Sequence, residues 1–282
     1  SPEPASNEVL IKVGACGLNN TDVNTRSGWY SKTVNDATTG GAFEVVGEDD
    51  PAWGGAPIKF PLIQGADVCG KIVAVGTDVN PSRIGERIIT DGWLRDTKEP
   101  ENMNKVGYFG SERDGGFAEY TTTPARNALV VTSDLSDAEL ATFSCSYSTA
   151  EGMLTRAQVG PDDTVLIPGA SGGVGGALVQ LAKRRGARVI AMASDTKHKD
   201  VAVLFPDKIL PRAPENLRVA LGDEKITVVA DIVGGPYWPA LIDVLERGGR
   251  YTCSGAIAGP IVELDLRTFY LRDLTFTVRS RR

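Results

Sequence analysis

Residues 164–183, TVLIPGASGGVGGALVQLAK, limit most severely what this chain can fold into. TVLIP is a short apolar run rich in β-branched residues, of strand type. Gly169, Gly172 and Gly175 follow at intervals of three, and apolar residues then recur at helical spacing over 177–183. Strand, glycine turn and helix, in that order, form the context that a phosphate-binding turn needs. Small residues let the backbone approach a pyrophosphate, and a helix start offers free N–H groups and the positive end of its dipole. The spacing is GxxGxxG rather than GxGxxG. It predicts a dinucleotide site carried by Gly169, Ala170, Ser171, Gly172, Gly173 and Val174. A tight strand–helix turn without a ligand is the plainer alternative.

The rest of the second half fits this unit. Ser136 with Glu139 three residues on is a capping-box pattern opening a helix in 136–153. Strands are expected over 188–193, 208–210, 225–233, 250–253 and 273–278. Helical stretches are expected over 200–204 and 239–247, the latter closed by Gly248. Strands alternating with helices build a parallel sheet covered on both faces, with ligands at the carboxyl ends of the strands.

The first half reads differently. Val9, Ile11 and Val13 alternate against Leu10, Lys12 and Gly14, a strand pattern. A strand pair is expected in 60–76 and further strands over 84–90 and 117–122, separated by glycine turns: a small β-barrel-like domain. Residues 17–30 predict a short helix capped by Thr21 or Asp22. Residues 31–59, with TTGG, GEDDP and WGG, form a long loop, either an insertion near a pocket or solvated decoration.

Composition narrows the function classes. At 41% hydrophobic and 23% charged residues the chain is of ordinary globular type. A net charge of −6 with no basic run argues against nucleic acid and against an anionic membrane surface. No apolar run reaches the roughly 18 residues of a membrane span, and the first residues do not read as a secretory signal. Cys16, Cys69, Cys145 and Cys253 are scattered, with no CxxC pair, so neither a disulfide framework nor a zinc knuckle is expected. A reducing cytoplasm is the expected location. His198 is the only histidine, which excludes a His-rich metal site.

Several motifs together carry a resemblance over nearly the whole chain: LNNTD (18–22) with Arg26 and Gly28, GADVCGKIVAVG (65–76), GER (85–87), GGFAEY (115–120), Thr149-Ala150, GASGGVG (169–175) and DIVGG (231–235). The chain resembles the medium-chain dehydrogenase/reductases, most closely their zinc-free, quinone-oxidoreductase-like branch. The resemblance implies an α/β chain: a GroES-like β-barrel domain holding substrate, residues 1–125, then a Rossmann doubly wound parallel-sheet domain for the dinucleotide, residues 126–282. Family members usually continue beyond the last strand here, so the sequence reads as truncated at its C-terminus. Relatives commonly pair edge strands of this sheet, which implies a homodimer through 273–278.

Departures from the family pattern bear on the chemistry. Zinc-dependent members carry a Cys after the first strand, a His in a GHE motif and commonly a Cys before the TA pair. Those positions hold Asn19, Ala66 and Cys145, and an amide and a methyl group do not replace thiolate and imidazole. Cys145 reads as a small buried residue or as a pocket thiol. The family's structural zinc lobe needs four cysteines where 91–114 has none. No metal is therefore expected.

The cofactor expected is NADP(H). After the second strand of the nucleotide-binding sheet come Ser194, Asp195, Thr196, Lys197, His198 and Lys199. Ser194, Lys197 and Lys199 suit a ribose 2′-phosphate, whereas Asp195 is a counter-signal and the lysines also suit a solvated helix start. Ile232, Val233 and Gly234, with Ser254, Gly255 and Ala256, are expected to line the cofactor. The resemblance places Asn19, Asn20, Tyr147 and Thr149 near the nicotinamide as substrate or nicotinamide contacts, each with a turn-holding or core-packing alternative. The reading is a zinc-independent NADPH reductase of a quinone or α,β-unsaturated carbonyl. The alternatives are an alcohol dehydrogenase acting on an aldehyde or ketone, and a non-catalytic NADPH-binding protein.

Overall fold

The computed structural model describes residues 1–38, 51 and 54–278. Residues 39–50, 52 and 53 of the 31–59 segment therefore lie outside the described residues, as do residues 279–282. The chain divides into two compact units, Ser1–Val34 with Ala42–Cys145, and Asn35–Gly41 with Ser146–Arg282.

Unit one contains β1 (Glu8–Gly17), α1 (Asn20–Arg26), β2 (Asp67–Val75), β3 (Arg87–Thr90), β4 (Trp93–Leu94), β5 (Gly107–Tyr108), β6 (Tyr120–Pro124), β7 (Ala128–Val130) and α2 (Asp137–Leu140). Five of the strands form an antiparallel sheet in the order β6-β1-β2-β3-β7, and β4 pairs with β5. The alternation at the start of β1 sends Val9 and Ile11 inward to Val68, Ile72, Ile88 and Phe109. The expected strand pair in 60–76 is one strand, β2. Gly65 sits at φ +100°, and residues 63–65 accept their hydrogen bonds from Gly115, Gly116 and Phe117 rather than from a neighbouring strand.

The break between units falls at Cys145/Ser146, not at 125/126 where the sequence pattern changes. Backbone pairing explains the difference: β7 completes the first sheet against β3, and α2 packs so closely on β1 that a Cβ on Gly17 would meet the Ala141 carbonyl at 2.3 Å. In unit two, Thr38 donates to the Ile257 carbonyl from its backbone N–H (3.0 Å) and its hydroxyl (3.4 Å).

Unit two runs from α3 (Ser144–Arg156, its first two residues counted with unit one) through β8 (Thr164–Pro168), α4 (Gly173–Arg184), β9 (Arg188–Ala193), α5 (His198–Ala202), β10 (Lys208–Pro211), α6 (Leu217–Leu221), β11 (Ile226–Asp231), α7 (Trp238–Asp243), β12 (Leu245–Cys253), α8 (Leu266–Leu271) and β13 (Thr275–Val278). The six strands are parallel in the order β10-β9-β8-β11-β12-β13. Counted along the chain this is 3-2-1-4-5-6, the doubly wound order, with its switch point between β8 and β11. Helices cover both faces, so the strands read as continuous apolar runs. Val165 and Ile167 of β8 pack in one core with α3 and α4, while Leu166 between them packs in the other with α6 and α7. The helix expected over 239–247 ends at Asp243. Leu245 already pairs with Ile226, and Gly248 at φ +76° lies within the strand that follows.

Among the described residues, no helix is long and apolar enough to cross a membrane.

Candidate functional site

In unit two the glycine turn leaves the carboxyl end of β8 at the switch point. Gly169 turns the chain at φ +70°, and Gly172, the N-cap of α4, carries no side chain to cap the helix. The first-turn N–H groups of a 12-residue helix are thus left for a ligand. A Cβ on Gly175 would lie 2.1 Å from the Gly169 carbonyl oxygen, so only glycine lets α4 seat against the turn. Ser171, Gly172 and Gly173 are exposed and Val174 half-buried, whereas Ala170 is buried in the core and can offer only backbone. The cradle fits a dinucleotide pyrophosphate.

The neighbouring strand ends are in place. A Cβ on Gly169 would lie 3.0 Å from Val233 Cγ2, so the loop after β11, with Ile232, Val233 and Gly234, rests on the glycine turn. Ser254, Gly255 and Ala256 follow β12 and are half-buried. At the end of β9, Ser194 Oγ lies 3.2 Å from Thr196 Oγ1. Lys197 and Lys199 are exposed, with Lys197 Nζ 3.1 Å from Asp200. Asp195 is exposed and lies 3.6 Å from His198 Nε2.

Tyr147 and Thr149 lie on α3. Tyr147 Oη accepts from Gln180 Nε2 at 2.8 Å, which orients the hydroxyl against α4. Thr149 is buried. Ser146, which the sequence did not single out, is buried with its Oγ 2.7 Å from where a Cβ on Gly173 would stand.

In unit one, Asn19 is the N-cap of α1, correcting the expectation of Thr21 or Asp22 in that role. Asp22 is its reciprocal partner, accepting from the backbone N–H of Asn19 (2.9 Å) and of Gly65 (3.2 Å), so it anchors the turn before β2. Asn20 is exposed. Asn19 Nδ2 donates to Asp67 Oδ2 at 3.1 Å, and the Cys145 backbone N–H donates to Asp67 Oδ1 at 2.7 Å. Asp67 is fully buried, and burial pushes its carboxyl up to about 7 against the two donors that pull it down. Burial, with Asp22 and Asp67 adding repulsion, pushes the Cys16 thiol up to about 12. Asp67 was missed in the sequence; the available signal was an acid inside the otherwise apolar start of a strand.

Residues 5–133 match the alcohol dehydrogenase GroES-like domain family and residues 173–281 the zinc-binding dehydrogenase family. A solved structure of a putative alcohol dehydrogenase from Sinorhizobium meliloti is 45% identical, with a TM-score of 0.86 over 99% of this chain and 76% of that one. The chain belongs to the medium-chain dehydrogenase/reductase superfamily. It is also similar to an acryloyl-coenzyme A reductase of Metallosphaera sedula, 28% identical over 97% of this chain and 76% of the relative. A quinone oxidoreductase of Sus scrofa is 27% identical over 92% and 68%. Membership makes the chain an NAD(P)-dependent oxidoreductase with a GroES-like domain and a Rossmann-type sheet.

The name of the second matched family raises zinc, and the donor set does not fit it. Asn19 spends an amide hydrogen on Asp67, and Ala66 offers a buried methyl group. A thiolate and an imidazole are both missing from the positions where zinc-dependent relatives carry them. Among the described residues, no three His, Cys, Asp or Glu side chains group as a metal site.

Proposed function

We propose that this chain is an NADPH-dependent, zinc-independent oxidoreductase that delivers hydride to a quinone or an α,β-unsaturated carbonyl. The donor set at Asn19 and Ala66 carries the reading, because it removes zinc from the polarisation of the acceptor. Relatives named for a quinone and for acryloyl-coenzyme A, an unsaturated thioester, support the substrate class.

When bound, NADPH supplies the hydride. The glycine turn and the start of α4 hold its pyrophosphate, and Ser194, Lys197 and Lys199 take the 2′-phosphate. Ser254, Gly255 and Ala256 would line its nicotinamide side, and Ile232, Val233 and Gly234 would line the cofactor too. Asn19 offers the second hydrogen of Nδ2 to the acceptor oxygen as negative charge grows there, while Asp67 fixes the first. Asn20, Tyr147 and Thr149 complete the contacts to substrate or nicotinamide. A second reading, an alcohol dehydrogenase acting on an aldehyde or ketone, is favoured by the likeness to the Sinorhizobium meliloti protein.

The edge position of β13 and the exposed Leu266, Tyr270 and Leu271 beside it support a homodimer; a monomer mass by light scattering refutes it. The four cysteines form no disulfide, which supports a cytoplasmic setting.

NADPH oxidation is measured with and without chelator against quinones, enals and simple aldehydes. Chelator-resistant turnover of quinones or enals supports the proposal. Turnover of simple aldehydes alone, abolished by chelator, refutes it. Replacing Lys197 and Lys199 with Glu should raise the KM for NADPH about tenfold or more and leave that for NADH nearly unchanged.

A further inference from the structure

Asp231, the last residue of β11, is completely buried. Its Oδ1 accepts from the backbone N–H of Val233 at 2.7 Å, and both its oxygens lie 3.2 Å from the backbone N of Gly234. Its Oδ2 also accepts from the Tyr251 hydroxyl at 2.8 Å, a bond that reaches across to β12. Its main-chain oxygen accepts from the Ser254 N–H at 3.2 Å. One residue thus ties together the two loops that follow β11 and β12.

These loops lie backbone to backbone. The Ala258 N–H donates to the Val233 carbonyl at 2.8 Å and the Gly235 N–H to the Gly259 carbonyl at 3.1 Å. A Cβ on Gly255 would lie 2.8 Å from the Ile232 carbonyl oxygen, and one on Gly234 would lie 2.9 Å from that of Gly259. Val233 in turn presses its side chain on the glycine turn at Gly169. Displacement at Asp231 therefore passes to the loop after β11, the loop after β12 and the phosphate turn.

We infer that Asp231 is a positioning residue for the cofactor: its carboxyl clamps the loops after β11 and β12 in the shape that receives the dinucleotide, without touching it. The inference rests on the reading of residues 232–234 and 254–256 as cofactor-lining. The clamp needs an acceptor for the loop N–H groups and a polar partner for Tyr251, not a negative charge. Burial pushes the Asp231 carboxyl up from its ordinary value, while the N–H groups of Val233 and Gly234 and the Tyr251 hydroxyl pull it down. An asparagine reproduces both functions, its Oδ1 accepting from Val233 and Gly234 while its Nδ2 donates to the Tyr251 oxygen.

The test compares Asp231→Asn with Asp231→Ala. Binding of NADPH is followed by fluorescence, site concentration by titration, and KM and kcat with an enal. The Asn variant should keep its Kd for NADPH within about threefold of wild type, and the Ala variant should raise Kd and KM about tenfold or more, since its loop N–H groups lose their acceptor. Its kcat at saturating NADPH should stay within about threefold. A structural role alone would lower the melting temperature and the number of titratable sites but leave the Kd of the remaining sites unchanged. That outcome overturns the inference. If the Ala variant does not fold, Asp231→Ser, which reaches fewer of the donors, takes its place; a Kd equal to wild type again overturns it. Wild-type protein that binds neither NADPH nor NADH refutes the cofactor reading itself, and this inference with it.

Discussion

Asp67 offers a direct measurement of what a buried acid does to this fold. It is 1% exposed, and its two hydrogen-bond donors, Asn19 Nδ2 and the Cys145 N–H, leave burial the larger effect on its titration. Its carboxyl is raised from 3.8 to about 7. The folded chain therefore holds this proton more tightly than the unfolded chain. Between those two values the folded state carries more bound proton, so raising the pH lowers stability. The contribution is fully present below the unfolded value and is lost as pH rises through the folded one. At 1.36 kcal/mol per pH unit the ceiling is about 4 kcal/mol. Asp67→Asn has no proton to lose. Urea denaturation followed by tryptophan fluorescence, at steps from about pH 4 to about pH 8, should show the variant gaining roughly 2–4 kcal/mol on wild type across that window. Comparing the two proteins at each pH cancels the other titrating groups. A difference that stays flat refutes the reasoning.

Other outcomes follow from single contacts. Gly175→Ala places a methyl group against backbone atoms of the glycine turn; it should cost about 1–3 kcal/mol in urea denaturation and weaken NADPH binding by more than tenfold. Arg250→Met removes the donor to the Ala157 and Gln158 carbonyls and leaves half of the Asp163 pair unmatched; a loss of about 2–4 kcal/mol is expected from the same assay. Cys16 and Cys69, held at about 12 and about 11, should not react with a thiol reagent near neutral pH until the protein unfolds. Exhaustive chelation followed by metal analysis should leave turnover of quinone or enal unchanged; loss of turnover restored by zinc refutes the donor-set argument.

Much of the fold was legible because its signals are local. The glycine spacing at 169–175, the apolar runs of β8, β9 and β11 and the alternation at the start of β1 each lie within a dozen residues, and each was recovered in the structure. The errors have local causes too. The expected strand pair in 60–76 came from counting apolar residues across Gly65, whose positive φ turns the chain before β2 begins. The overlong helix after Pro239 came from helical spacing that sheet pairing of Leu245 with Ile226 overrides. The unit boundary was misplaced because β7, although near the change in pattern, finds its partner β3 some forty residues upstream.

By itself, then, the sequence determined a phosphate-type turn between a strand and a helix, a parallel sheet in the second half, an antiparallel one in the first, and, through the family resemblance, an amide at 19 and a methyl group at 66 where zinc-dependent relatives carry a thiolate and an imidazole. Only the tertiary structure decided which polar groups face one another. Asn19 and Cys145 meet on Asp67, from 48 and 78 residues away. Tyr251 meets Asp231 across two strands, and Ser146 stands against Gly173 from another helix. Periodicity tells which face of an element is buried. The partner across that face depends on strand order and register, and these are set by the packing of the whole unit.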